Sequence, residues 1–156
     1  MTTALKGNTT EAVVLTSLVE RDFAVLLPFG EGHPYDLVVH VEAERFLRVQ
    51  CKTARVRNGC LRFNSRSTDH GRGPGTYVGL AEIFGVYSPE RRSVYLVPVA
   101  DVPRSVVFLR LDPARNNQQH GIRMAASYEV SRWTPQRLAA VASAGQPPDA
   151  GLALIA

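Results

Sequence analysis

Asp36, Gln50 and Lys52 are three residues whose side chains could together handle a metal ion and a phosphate group. A carboxylate and an amide oxygen suit a hard cation such as Mg²⁺, which prefers one or two carboxylates together with water and substrate phosphate. A neighbouring ammonium could orient or deprotonate an attacking water, or stabilise negative charge in the transition state. The alternative is a surface ion pair of Asp36 and Lys52 beside an uninvolved Gln50, which would have almost no functional value.

The segments that carry these residues, 36–41 (DLVVHV) and 46–52 (FLRVQCK), are predicted to be paired β-strands. Their alternating apolar residues can share one buried face only if the numbers of directly paired residues have an even sum. One such register pairs Asp36 with Gln50 and leaves Lys52 as a diagonal neighbour on the same face. Core packing alone therefore brings the three side chains together. It also requires a bulge, or a turn with an odd number of residues, between the two strands.

The positive charge of the chain is concentrated in one stretch of sequence. The 156 residues include 18 Lys and Arg against 14 Asp and Glu, which gives a formal net charge of +4. The window 45–68 has no acidic residue and contains seven basic ones: Arg45, Arg48, Lys52, Arg55, Arg57, Arg62 and Arg66. All but one of these are arginine, whose planar guanidinium suits phosphate oxygens, so the window indicates a nucleic-acid partner.

The second half of this window predicts a β-hairpin with an arginine face. Asn58-Gly59 favours a two-residue turn, which places Arg55 opposite Arg62 and leaves Arg57 on the same side. The other side is apolar and could pack on the core; it consists of Ala54, Val56, Leu61 and Phe63. An ordinary solvated face is the alternative, but a two-stranded ribbon with an arginine face fits the major groove of DNA.

The remaining pattern predicts a single α/β domain over residues 1–144, with a loose tail over 145–156. Strict alternation beyond Lys52 would lead into the apolar face of the hairpin, so a bulge or strand break is expected near Thr53.

No apolar run reaches the roughly 18 residues of a membrane-spanning helix. The first residues lack the pattern of a signal peptide, so a cytoplasmic protein without a membrane partner is expected. The other predicted elements are a helix over 8–21, strands over 23–27, 84–87, 94–99 and 106–111, a loop over 64–75, a helix over 77–83 and a helix from Thr134-Pro135 to Ala144.

Pro34-Tyr35-Asp36 followed by Gln50-Cys51-Lys52 resembles the signature of the PD-(D/E)XK nucleases. The resemblance is closer to the group I intron-associated homing endonucleases, because a series of segments follows in order over roughly residues 6–128: KGNTTEAVV, LLPFG, PYDLVV, RVQCKTAR, FGVYSPE, VYLVPV and LRLDPARNNQ. It implies a restriction-endonuclease-like fold of the mixed α/β (α+β) class. This fold has a mixed β-sheet core flanked by helices, to which the arginine-rich β-hairpin would be an addition.

The resemblance also implies roles for individual residues. The implied catalytic residues are Asp36, Gln50, Lys52 and Glu11, and the implied metal ligands are Asp36, Gln50, Glu11 and the backbone carbonyl of Cys51. Gln50 replaces an acidic residue of the general signature and would serve as a neutral oxygen ligand for Mg²⁺, or for Mn²⁺ as a substitute. The missing negative charge should lower metal affinity. Glu11 also stands three residues after Asn8, the spacing of a capping box, so a structural role at a helix start is the alternative.

These inferences predict a metal-dependent DNA endonuclease that hydrolyses phosphodiester bonds and is associated with the nucleoid when on DNA. The predicted contacts to double-stranded DNA are Arg48, Arg55, Arg57, Arg62, Arg66 and, from the resemblance, Asn117. Because cutting both strands needs two active sites, a homo-oligomer is expected; the resemblance implies a tetramer, and a dimer is the alternative. Three other functions remain open: a Holliday-junction-resolvase-like nuclease, a catalytically inactive DNA-binding module of the same fold, and a protein-interaction domain.

Overall fold

The computed structural model describes residues 1–42, 44–69, 73–113, 115–116 and 120–144. Its helices are α1 (Thr3–Val19) and α2 (Pro135–Ala144). Its strands are β1 (Ala24–Leu26), β2 (Leu37–Glu42), β3 (Arg45–Thr53), β4 (Arg55–Arg57), β5 (Cys60–Asn64), β6 (Ser67–Asp69), β7 (Gly73–Gly75), β8 (Ile83–Ser88), β9 (Ser93–Pro98) and β10 (Val106–Arg110). Short 3₁₀ turns cover Val99–Asp101, Ala125–Tyr128 and Val130–Arg132.

The main sheet has the strand order β1-β2-β3-β8-β9. Strands β3 and β8 run parallel, whereas the other neighbours are antiparallel, so the predicted mixed sheet is confirmed. Leu37 pairs with Val49, and the register shifts between His40 and Glu42. Both the register required by core packing and the irregularity next to the turn are therefore present.

Each face of the main sheet packs against a different layer. Helices α1 and α2 cover one face, where Val14 and Leu138 are buried among the strand residues. A Cβ at Gly85 of β8 would lie 2.7 Å from a methyl carbon of Val14, so glycine is what lets α1 approach the sheet this closely. The opposite face packs on a second sheet of order β10-β5-β4, whose Leu61 and Leu109 are fully buried.

The second sheet contains the predicted hairpin. Arg55 pairs with Arg62, and Asn58 and Gly59 form the turn with φ angles of 49° and 73°. The expected break in the chain falls at Ala54, between β3 of the main sheet and β4 of the second sheet. The hairpin and the break are both confirmed. The sequence pattern predicts the strand that becomes β10 but not its partner; in the structure β10 pairs with β5 and is the third strand of this sheet.

Three predictions about local structure are wrong. Helix α1 begins five residues before the expected start, because the Thr2 hydroxyl caps it by accepting the Leu5 N–H at 3.3 Å. Asn8 therefore lies within the helix, and no capping box forms with Glu11. Residues 77–83 form a turn that leads into β8 rather than a helix, and part of the expected loop 64–75 pairs as β6 and β7.

Helix α2 begins as expected, with the Thr134 hydroxyl accepting the Arg137 N–H at 3.2 Å. The predicted tail 145–156 lies outside the described residues.

Candidate active site

Asp36 occupies the entry to β2, directly before the first residue paired with β3. Its backbone N–H donates to the Val49 carbonyl at 2.9 Å, which holds the residue against β3. Its Oδ2 atom accepts the Cys51 backbone N–H at 2.7 Å. Burial raises the pKa of Asp36; the Cys51 N–H and the positive charge of Lys52 partly offset this rise. The carboxylate is thus fixed in position and destabilised by desolvation, a condition that a cation would relieve.

The side chain of Gln50 lies against Asp36, as the register requires. Its Nε2 donates to Asp36 Oδ2 at 2.6 Å and lies 3.3 Å from the Cys51 carbonyl oxygen. Asp36 Oδ2 and the Cys51 carbonyl oxygen are both acceptors, so the NH₂ group of Gln50 faces them. The Gln50 carbonyl oxygen, the atom predicted to bind a metal, does not face them. Two oxygens from the predicted ligand set therefore converge on one amide nitrogen.

Lys52 lies on the same side of β3 as Gln50, and its ammonium has defined partners. Nζ donates to the Arg66 carbonyl oxygen at 3.2 Å and to the Tyr77 hydroxyl at 3.2 Å. It also lies 4.5 Å from the centre of the Tyr77 ring, within range of a cation–π interaction. Tyr77 is 7% exposed and packs edge-on against Phe84. The sequence pattern gives no sign of Tyr77 as a site residue, because its contact with Lys52 spans 25 residues and the pattern of its own segment predicts a helix.

Glu11 reaches the site from α1. Burial raises the pKa of Glu11, and so does the negative charge of Asp36, which means that the two carboxylates interact. A hydrogen bond of 2.6 Å between the hydroxyls of Thr10 and Thr53 joins α1 to the end of β3 beside these residues. Within the described ranges, no three His, Cys, Asp or Glu side chains form a group that could hold a metal. The available donors are instead two carboxylates, one backbone carbonyl and one amide, a set that fits Mg²⁺ with positions left for water and phosphate.

The predicted DNA-contacting arginines lie in different environments. Arg57 and Arg62 are exposed, and Arg55 lies 3.5 Å from Glu90 in an ion pair at the edge of the second sheet. Arg48 forms a multiply hydrogen-bonded ion pair with Glu82, including Nε to Oε1 at 3.0 Å. Arg48 therefore has a structural role as the partner of Glu82, and its role in DNA binding remains a prediction.

Arg66 and Asn117 complete the predicted DNA contacts. The Arg66 carbonyl oxygen accepts a hydrogen bond from Lys52 Nζ, and the Arg66 Nε–H donates to the Arg104 carbonyl oxygen at 3.4 Å. Asn117 lies outside the described residues.

The mixed sheet thus carries a carboxylate at the entry to β2 and a lysine on the neighbouring strand β3, beside a second sheet with exposed arginines. The profile of the PD-(D/E)XK endonucleases matches residues 1–131. The chain therefore belongs to the PD-(D/E)XK endonuclease family, and the predicted family resemblance and fold class are confirmed.

Among solved structures, the chain is similar to I-Ssp6803I, a bacterial homing endonuclease, with a TM-score of 0.69. The match has 22% sequence identity and covers 94% of this chain and 98% of the other, and it supports the fold. The comparison with curated proteins gives no match. Neither of the two helices in the described part of the chain is long and apolar enough to cross a lipid bilayer.

Proposed function

We propose that the protein is a Mg²⁺-dependent endonuclease that hydrolyses phosphodiester bonds in double-stranded DNA, with Mn²⁺ as a substitute ion. The observation that carries this proposal is the convergence of Asp36 Oδ2 and the Cys51 carbonyl oxygen on one point, 2.6 and 3.3 Å from Gln50 Nε2. The charge of Lys52 acts on the same carboxylate. Membership of an endonuclease family supports the reaction class.

The residues proposed to hold the cation are Asp36, Glu11, Gln50 and Cys51 through its backbone carbonyl. The cation would supply Lewis-acid activation of water and charge neutralisation at the phosphate oxygens. Asp36 has its orientation set by the Cys51 N–H, so little ordering remains to be done when ligands arrive. Gln50 must turn its amide to present the carbonyl oxygen, because its NH₂ group faces Asp36.

Lys52 is proposed to act on the water or on the developing negative charge of the phosphate. Its ammonium is held by the Tyr77 hydroxyl and the Arg66 carbonyl, and its charge acts on Asp36. In-line attack by water breaks the bond between phosphorus and the leaving oxygen, and the ammonium can stabilise the charge that develops. The arginines of β4 and β5 would bind the flanking phosphates.

The described part of one chain holds one such site, so cleavage of both strands requires a homo-oligomer, a tetramer or a dimer. Because the substrate is DNA, we place the protein in the cytoplasm, bound to the nucleoid when it is engaged.

A catalytically inactive DNA-binding module is the second candidate. It is favoured by one observation: Gln50 replaces an acidic residue of the family signature and donates to Asp36 instead of adding negative charge beside it. Such a protein would bind duplex DNA through the arginine face and leave it intact.

Cleavage assays separate the two candidates. A library of supercoiled plasmids with a randomised insert and a four-way junction are incubated with the protein in Mg²⁺, Mn²⁺ or EDTA. We expect metal-dependent cutting of the plasmid, and a loss of roughly 10²–10⁴-fold in the Lys52→Ala variant. The sequence contains one other lysine, Lys6, on the exposed surface of α1, and Lys6→Ala is therefore a charge-matched control that should cut normally. Duplex binding without cutting in either metal would support the inactive module, and cutting of the junction alone would support a resolvase.

A further inference from the structure

The arginine hairpin is part of a larger surface, because β10 pairs with the outer edge of β5. Leu61 and Leu109 point into the core, so alternate residues of the same strands point away from it. Three rows of side chains cross this outer face: Arg55, Arg62 and Phe108; Arg57, Cys60 and Arg110; and Asn64 and Val106. We call this surface the outer face of the second sheet.

The outer face combines positive charge with an exposed aromatic ring. Its rows contain four arginines and no acidic residue. Phe108 lies beside Arg62 and is 52% exposed, although residues on either side of it in β10 are fully buried. The chemistry of the face, cationic with one apolar contact point, is complementary to a base-pair edge flanked by phosphates.

The dimensions of the sheet also suit DNA. Strands lie about 4.8 Å apart, so the neighbouring strands β10 and β5 form a two-stranded ribbon of the size that the groove admits. The major groove of B-DNA is about 12 Å wide. These two strands can therefore enter the groove and bring Phe108 and Arg110 of β10 to the base edges.

Arg110 lies at the end of the face, at a cleft of about 540 Å³ between the hairpin turn and the segment after β10. Asn58, Asp112 and Arg115 also line this cleft. The Nε–H of Arg110 donates to the Asp112 carbonyl at 3.0 Å, and the Leu111 N–H donates to the Gly59 carbonyl at 2.9 Å. One hydrogen bond thus orients the Arg110 side chain at the cleft, and its planar guanidinium can form paired hydrogen bonds to one base.

We propose that Phe108 and Arg110 determine sequence specificity: Phe108 packs on the 5-methyl group of a thymine, and Arg110 donates to the edge of a guanine. The inference rests on the proposed function, since it assigns the reading of the DNA to a surface beside the cleavage site. Two residues of a strand span about 6.8 Å, which equals about two base-pair steps. The thymine and the guanine should therefore be about two base pairs apart.

The experiment starts from duplexes selected by the wild-type protein from a randomised library in Ca²⁺. Each thymine of a selected duplex is then replaced by deoxyuridine, and each guanine by 7-deazaguanine. Wild type should bind about four-fold more weakly at one uracil position, the effect of removing one buried methyl group. Phe108→Ala should bind the thymine and uracil duplexes equally, and Arg110→Lys should lose discrimination at one guanine. Phe46→Ala, which removes a phenylalanine of the main sheet with 51% exposure, is the matched control.

The outcomes separate this inference from the proposed function. If Phe108→Ala keeps the preference for thymine over uracil, the inference is overturned, even when wild type cuts plasmid in Mg²⁺. It is also overturned if Phe108→Ala changes only the molar mass in light scattering, because the face would then join copies of the chain. If wild type neither selects nor cuts duplex DNA, the proposed function fails as well.

Discussion

The side-chain nitrogen of Gln50 lies 2.6 Å from Oδ2 of Asp36 and donates a hydrogen bond to it. The same nitrogen lies 3.3 Å from the Cys51 carbonyl oxygen, so an NH₂ group fills the point where two proposed ligand oxygens converge. A partial positive charge at this point satisfies both oxygens in the metal-free protein. A cation that binds there must replace these hydrogen bonds, so the net free energy gained on cation binding is smaller.

The Gln50→Glu variant should bind Mg²⁺ more tightly and be less stable without it. A second carboxylate adds charge for the cation, but in the metal-free protein it would repel Asp36 and leave its oxygen without the amide donor. We expect at least a ten-fold gain in affinity by titration calorimetry. The metal-free variant should lose about 1–3 kcal/mol of stability in urea denaturation.

Gln136→Glu in the exposed first turn of α2 makes the same chemical change away from the site; it should leave the Mg²⁺ affinity unchanged and raise stability by less than about 1 kcal/mol. Equal Mg²⁺ affinities for wild type and Gln50→Glu would contradict the role of Gln50 as a ligand.

The stability of the metal-free protein should depend on the protonation of Asp36. Its pKa is raised by burial, with the Cys51 N–H and the charge of Lys52 acting in the opposite direction, and Glu11 also faces it. A raised folded-state pKa means that the folded protein binds the proton more tightly than the unfolded chain. Asp36 therefore contributes most stability below its ordinary pKa, and this contribution is lost as pH rises through the raised value.

Urea denaturation in EDTA from pH 3 to 7 measures this effect when wild type is compared with Asp36→Asn. The stability of wild type relative to the variant should fall as pH rises. A constant difference across the range would show that the pKa of Asp36 is not raised. In the same window, Mg²⁺ affinity of wild type should rise with pH, because protons compete for the carboxylates.

Tyr77→Phe should slow cleavage without weakening substrate binding. The substitution removes the hydroxyl that accepts from Lys52 Nζ at 3.2 Å but keeps the ring beneath the ammonium and its packing on Phe84. We expect kcat to fall about three- to ten-fold with KM unchanged, since one hydrogen bond contributes roughly 1 kcal/mol. The free energy of unfolding should change by less than about 1.5 kcal/mol.

Tyr77→Ala should behave differently, because it also removes a buried ring and should cost about 3–5 kcal/mol of stability. Tyr87→Phe, on the strand beside β3, is the control for loss of a tyrosine hydroxyl. A Tyr77→Phe enzyme with wild-type kcat would leave Tyr77 with a packing role only.

Arg62→Ala should weaken duplex binding in a salt-dependent manner, whereas Arg48→Ala should mainly weaken the fold. Arg62 is exposed on the outer face, and an arginine that neutralises one phosphate accounts for about 0.9 of the slope of log K against log salt. Its removal should make that slope shallower by this amount. Arg48 is paired with Glu82, so its removal leaves a half-buried carboxylate without its partner. Fluorescence anisotropy at several salt concentrations and thermal melts measure the two effects.

Arg21→Ala, at the end of α1, controls for the loss of a positive charge. An unchanged salt slope in Arg62→Ala would place the DNA elsewhere on the protein.

The parity of the apolar residues was sufficient to predict the register of β2 and β3, since any slip by one residue would expose the core. The Asn58-Gly59 turn predicted the hairpin in the same local way. The contacts of Tyr77 with Lys52 and of β10 with β5 could not be predicted, because both depend on segments distant in sequence that meet only in the folded chain.

Two other differences arise from local conformation. Residues 77–83 have helical spacing of apolar residues, but Gly79 has a φ angle of 80° and turns the chain. The alternation of the strands predicts that Gln50 lies beside Asp36, but it does not predict whether the NH₂ group or the carbonyl oxygen of Gln50 faces the carboxylate. That orientation depends on the Cys51 carbonyl, a second acceptor that the pattern of side chains does not reveal.

The single residue between β3 and β4 has a consequence for where the protein would cut. Ala54 is fully buried, and its N–H donates to the Tyr87 carbonyl at 2.8 Å, so it is tied to the main sheet and not free to act as a hinge. The one-residue connection therefore keeps the backbone of Arg55, the first arginine of the outer face, close to that of Lys52. A nuclease built in this way would cleave at a constant offset from the bases it reads, so one base pair inserted in that interval would move the cut by one position relative to the original target sequence.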